Sequence, residues 1–142
     1  MKITICSKDE YDEKIAPKID AGTALISFFD PQYDTEPVKT VPERHFRVKI
    51  PDFAHDEIVE LGLTPEKYFP EAISLAAFIK SALRDGMQIV CQCEFGQGRS
   101  AACAAAIYEY YEKNGIEIFA DYRYHPNQVV FNTLLKALKE VK

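Results

Sequence analysis

Polar and apolar residues alternate over Lys2–Cys6, and Thr23–Phe29 is an apolar run rich in strand-forming residues, so each predicts a short β-strand. Between them, Lys8–Lys18 is a charged connector with some helical character. Three prolines together with Gln32, Asp34, Thr35 and Glu36 make Asp30–Pro42 an irregular loop. Alternation returns in His45–Ile50 and stops at Pro51. Thr64 as N-cap, Pro65 at the first position and Glu66 in the first turn then announce a helix. Its apolar residues Tyr68, Ala72, Leu75, Ala76, Ile79, Ala82 and Leu83 recur at helical spacing until Asp85-Gly86. Met87–Gln92 predicts a strand and Ser100–Glu112 a second helix, rich in alanine and stopped by Asn114-Gly115. After a connector containing tyrosine and proline, Asn127–Lys142 predicts a third helix with Val130, Leu134, Leu138 and Val141 along one face. Strands that repeatedly precede helices imply an α/β fold with helical cover. No repeat, low-complexity tract or linker interrupts residues 1–142, which read as one domain.

Composition narrows the partners. The chain has 142 residues, 47% of them hydrophobic, enough to bury a core of its own. A net charge of −5 repels nucleic-acid backbones and anionic membranes, so any anion must meet a local site. The apolar stretch at Met1–Ser7 is too short for a signal peptide, and no stretch approaches the roughly 20 residues of a membrane span. Cys6, Cys91, Cys93 and Cys103 read as reduced thiols of a cytoplasmic protein rather than a disulfide frame. His45, His55 and His125 are isolated from one another, so Cys91-Gln92-Cys93 lacks the second cluster a zinc site needs.

The chemistry concentrates in Cys93-Glu94-Phe95-Gly96-Gln97-Gly98-Arg99-Ser100, between a strand and a helix. A loop closing onto a helix N-terminus points backbone N–H groups inward, and the helix dipole adds positive potential, so the cradle suits a phosphoryl group. Gly96 and Gly98 supply turns that a Cβ would obstruct. Arg99 can grip two phosphate oxygens with its planar fork. Cys93, in the same cradle, is expected as a thiolate nucleophile at neutral pH. Ser100 can offer its hydroxyl to that sulfur while also capping the helix. Phe95 and Gln97 would face a substrate, whereas Tyr108, Tyr110, Tyr111, Tyr122 and Tyr124 read as packing residues and Asn127 as a helix cap.

This segment resembles the Cys-x5-Arg-Ser/Thr phosphate loop of the cysteine-dependent protein tyrosine phosphatase superfamily, especially its small bacterial dual-specificity-like members. The order of elements over most of the chain is similar too. The resemblance implies a single-domain phosphatase fold with a central twisted, mostly parallel sheet flanked by helices, and no metal or organic cofactor. It also implies a phosphocysteine intermediate and an upstream Asp as general acid. Asp52, in Pro51-Asp52-Phe53 after a strand, is similar to the family's Pro-Asp; Asp56, four residues on, is the alternative. Gln92 departs from the family, which usually has His directly before the nucleophile.

Glu94 and Gln97 stand where phosphoinositide-directed relatives tend to carry lysine, which disfavours highly phosphorylated substrates. A phosphotyrosine or dual-specificity protein substrate, or a small phosphomonoester, fits better. Three function classes remain at this point. They are an active phosphatase, a phosphate-binding module that has lost catalysis, and a sulfur-transfer enzyme, although the last uses a shorter loop.

Overall fold

The computed structural model describes residues Met1–Lys142. Four strands, β1 (Ile3–Cys6), β2 (Thr23–Phe29), β3 (His45–Lys49) and β4 (Gln88–Gln92), form one all-parallel sheet in the order β1-β4-β2-β3. The two central strands are buried on both faces, which is why β2 reads as an almost unbroken apolar run rather than an alternation. Because all strands run the same way, their carboxyl ends meet at one edge of the sheet. Ser7, the 30–44 loop, the 50–54 loop and the 93–98 loop all leave from that edge, the usual place for ligands in open α/β sheets.

The connector after β1 is helical in three different pitches: α1 (Lys8–Glu10), a π segment (Tyr11–Ile15) and a 3₁₀ segment (Ala16–Lys18). Ser7 starts it with a capping box, accepting from Glu10 N while Glu10 accepts from Ser7 N. This connector packs Tyr11 against Cys6, Leu25, Val38 and Val90 on one face of the sheet.

The opposite face carries the main core. It is covered by α4 (Ala72–Arg84), α5 (Arg99–Glu112) and α7 (Gln128–Glu140), with Leu75, Ile79, Ile107, Leu134 and Leu138 fully buried. Residues 99–107 of α5 are all buried, and its alanines let this helix lie in the middle of the layer.

The helix expected over Thr64–Leu83 is two helices. Thr64 caps α3 (Pro65–Tyr68) as anticipated, accepting from Lys67 N, but Phe69 leaves helical geometry at φ −127° and ψ 69° before α4 begins. Pro70 is the cause, since it disfavours the helical conformation in the residue before it and brings no N–H of its own. Two short helices were hidden from periodicity, α2 (His55–Glu60) and α6 (Ile116–Ala120). No helix is long and apolar enough to cross a membrane.

Candidate active site

The 94–98 stretch of the loop is held by its carbonyls and leaves its N–H groups free. Glu94 O accepts from Lys8 N (3.1 Å), Gln97 O from His125 N (2.9 Å), and Gly98 O from both Ala102 N (2.9 Å) and Asn127 N (3.1 Å). The N–H groups of residues 94 to 98 have no protein acceptor. Gly96 makes the tight approach possible. Its φ is +69°, and a Cβ there would lie 2.6 Å from Ser7 N and 2.7 Å from the Cys6 carbonyl carbon. The loop is thus pressed onto the end of β1, and Cys93 N donates to Cys6 O.

Cys93 and Ser100 are both buried, and Cys93 Sγ lies 3.0 Å from Ser100 Oγ. Burial pushes the Cys6 thiol up, and a hydrogen bond with Cys103 together with burial does the same to Cys91.

Arg99 is 2% exposed yet carries its charge. Burial alone would lower its pKa; the bond to Asp34, with the charges of Cys93, Asp34 and Asp52, outweighs that and raises it. Its Nη1 donates to Asp34 Oδ2 (2.7 Å) and Ile50 O (2.9 Å), and its Nη2 to Asp34 Oδ1 (3.1 Å). Nε is buried and has no partner.

Asp52 stands over the loop. A Cβ on Gly98 would fall 2.3 Å from Asp52 Oδ2, so only glycine leaves room for that carboxylate. Its Oδ1 accepts from Asn127 Nδ2 at 2.7 Å, and the same amide donates to Phe53 O at 2.9 Å. Asn127 also caps α7 as expected, accepting from Val130 N. Tyr68 completes the clamp by donating to Pro51 O and accepting from Phe53 N (3.1 Å). Burial raises the Tyr68 phenol to about 12, so it remains a donor at any ordinary pH. Asp56, the alternative carboxylate, sits in the first turn of α2 with its side chain 98% exposed and lines the cleft beside Asp52.

Gln92 is buried, and its amide oxygen accepts from the Ser27 hydroxyl on the neighbouring strand, where the register pairs the two residues. Glu94 accepts from Thr35 Oγ1 at 2.7 Å, while Phe95 and Gln97 are exposed at the loop tip. Tyr33 meets Phe53 edge-on (5.9 Å), and Phe53 stacks on Tyr68 (6.2 Å), so aromatic rings gather next to Asp52. Beside Asp52 a cleft of about 440 Å³ opens between Phe53, His55, His125 and Asn127.

Five contributions escaped sequence reasoning: Asp34, Thr35, Ser27, and the second roles of Asn127 and Tyr68. Asp34 and Arg99 are 65 residues apart, as are Ser27 and Gln92, and no local pattern encodes such pairs.

The fold is similar to that of dual-specificity and tyrosine phosphatases of solved structure. Human DUSP28 superposes with a TM-score of 0.62 at 16% identity, over 97% of this chain and 88% of that one. Cydia pomonella PTP-2 phosphatase does so at 0.60 and 14%, covering 96% and 85%. Tk-PTP in its active form gives 0.58 and 16%, covering 99% and 94%. No protein-family model matches the sequence, and no curated protein matches it.

Proposed function

We propose that the chain is a cysteine-dependent phosphatase that hydrolyses phosphomonoesters, phosphotyrosine or dual-specificity protein substrates among them, through a phosphocysteine intermediate. The observation that carries this reading is the unpartnered Nε–H of a buried, charged Arg99 near Cys93, backed by five successive free N–H groups. A buried cationic donor without an acceptor is costly unless an anion meets it.

In the first step Cys93 sulfur attacks phosphorus as the bond to the leaving oxygen breaks, and Asp52 gives that oxygen its proton. The loop N–H groups and Arg99 hold the three equatorial oxygens through both displacements. In the second step Asp52, now ionised, takes a proton from water as the water oxygen attacks phosphorus. The sulfur departs toward the Ser100 hydroxyl, and inorganic phosphate is released. The Asn127 and Tyr68 clamp keeps the carboxylate of Asp52 over the loop for both steps. The Ser27–Gln92 bond fills the place where the family's histidine would stand with a neutral amide that holds the strand end.

Glu94 in the loop and the aromatic rings near Asp52 favour a singly phosphorylated aryl group over a polyphosphorylated one. The four free thiols agree with a cytoplasmic setting. The test is turnover of p-nitrophenyl phosphate, abolished in Cys93→Ser and blocked by vanadate. Tight phosphate binding without turnover in the unmodified protein would instead identify a phosphate-binding module.

A further inference from the structure

We propose that the cleft beside Asp52 binds the polypeptide that carries the phosphoryl group, and favours one with lysine or arginine close to the phosphorylated residue on one side. This names a substrate class for the phosphatase reading above and rests on it. Arg99, 2% exposed with an unpartnered Nε–H, places one end of the ligand. Asp52 places the rest. Its Oδ2 stands where a Cβ on Gly98 would fall, one residue before Arg99, and the same residue forms a wall of the cleft of about 440 Å³. The leaving oxygen meets Asp52, so what lies beyond that oxygen is led into the cleft.

The lining has one sign. Asp52, Asp56 and Glu57 share it with His55 and His125, and no lysine or arginine joins them. Glu57 is steadied by accepting from Ala54 N at 2.9 Å, and Asp56 has only the His55 imidazole, 3.9 Å away. Two carboxylates without a lysine or arginine partner complement a basic side chain and repel an acidic one. Length argues for a polypeptide. The groove continues past His55, which also lines a second cavity of about 180 Å³ reaching Lys136, and so follows α7 from Gln128. That stretch of helix rises about 12 Å, the span of about four extended residues. At its far end Lys136 and Glu66 offset one another at 3.7 Å, so the unbalanced charge lies at the near end, beside the phosphoryl group.

Exposed ion pairs are worth little singly, and two together give about threefold to tenfold in affinity. The gain belongs in KM rather than kcat, because the contact is the same in the ground and transition states. The test uses three phosphotyrosine peptides that differ only in carrying arginine at the two positions before the phosphotyrosine, at the two positions after it, or alanine at all four. One arginine peptide should exceed the alanine peptide in kcat/KM by about threefold to tenfold, and the other by less than about twofold. In Asp56→Asn/Glu57→Gln the larger ratio should fall below about twofold, and salt at about 0.5 M should erase it in the wild-type protein. Glu13→Gln/Glu112→Gln, which removes as much charge from the connector after β1 and the end of α5, should keep it. Each ratio is taken within one variant, so a folding defect does not imitate the effect.

An equal gain from both arginine peptides, a ratio that survives in Asp56→Asn/Glu57→Gln, or one lost equally in the control variant would overturn the basic subsite. So would turnover of all three peptides without preference, or of p-nitrophenyl phosphate but no peptide; each of these leaves the phosphatase reading standing. Absence of turnover on the peptides and on p-nitrophenyl phosphate alike would sink that reading and this proposal with it.

Discussion

Replacing Gly98 by alanine tests whether Asp52 works from where it stands. The backbone does not object, because φ is −105° and ψ −80°, in the half of conformational space open to any residue. The space does object. The new Cβ would sit 2.3 Å from Asp52 Oδ2, where ordinary contact begins at 3.4 Å, so the carboxylate must retreat by about 1.1 Å. That retreat strains or breaks the 2.7 Å bond from Asn127 and takes the proton donor off the leaving oxygen. A misplacement of about 1 Å costs about a hundredfold in rate, and a general acid contributes about 10²- to 10⁴-fold. Gly98→Ala should therefore lower kcat about a hundredfold on a phosphomonoester with a poor leaving group, such as an alkyl phosphate. On p-nitrophenyl phosphate, whose leaving group needs less help, the loss should be about tenfold or less. Vanadate inhibition, which depends on the loop N–H groups and Arg99, should change by less than about threefold. Equal losses on both substrates, or a rate on the alkyl phosphate within twofold of wild type, would refute the assigned position of the acid.

Three further outcomes follow from the same geometry. Gly96→Ala forces a left-handed conformation costing about 1–2 kcal/mol and drives a Cβ into the backbone of Cys6 and Ser7, so urea unfolding should show a loss of at least about 2 kcal/mol. Asn127→Ala removes a helix cap worth about 1 kcal/mol and the clamp on Asp52 together; kcat should fall more than stability alone explains, and Asn127→Ser should recover the stability without the rate. Burial raises Tyr68 and Tyr11 from 10 to about 12, so the folded state holds these phenolic protons more tightly than the unfolded chain does. Stability from this source is complete below pH 10 and is lost as pH rises through about 12, measurable by denaturation alongside tyrosinate absorbance.

Much of this was legible in the chain because it is local. Thr23–Phe29 appears as the strand its composition announces, and the 93–100 segment carries its own turn glycines, helix start and buried Cys93. The Thr64 cap was equally visible, but Pro70 splits the helix behind it, and the recurring apolar positions on both sides of the break masked that. What stayed hidden is what the fold assembles from a distance. Asp52 and Asn127 are 75 residues apart, and each looks ordinary alone: a loop carboxylate and a helix cap. Asp34 lies among other polar residues of a proline-rich loop, and only the parallel order of β4 and β2 brings that loop above Arg99. The helix α2, which carries Asp56 with its side chain exposed, was likewise not visible as a helix in the sequence.

The central claim is that Cys93 sulfur carries the phosphoryl group. Acid quenching of the protein during turnover of an aryl phosphate, followed by mass analysis of the peptide containing Cys93, measures this directly. The account predicts one added phosphoryl group on Cys93 in the wild-type protein, and neither adduct nor turnover in Cys93→Ser. Undiminished turnover in Cys93→Ser, or a phosphoryl group found on any other residue, would contradict it.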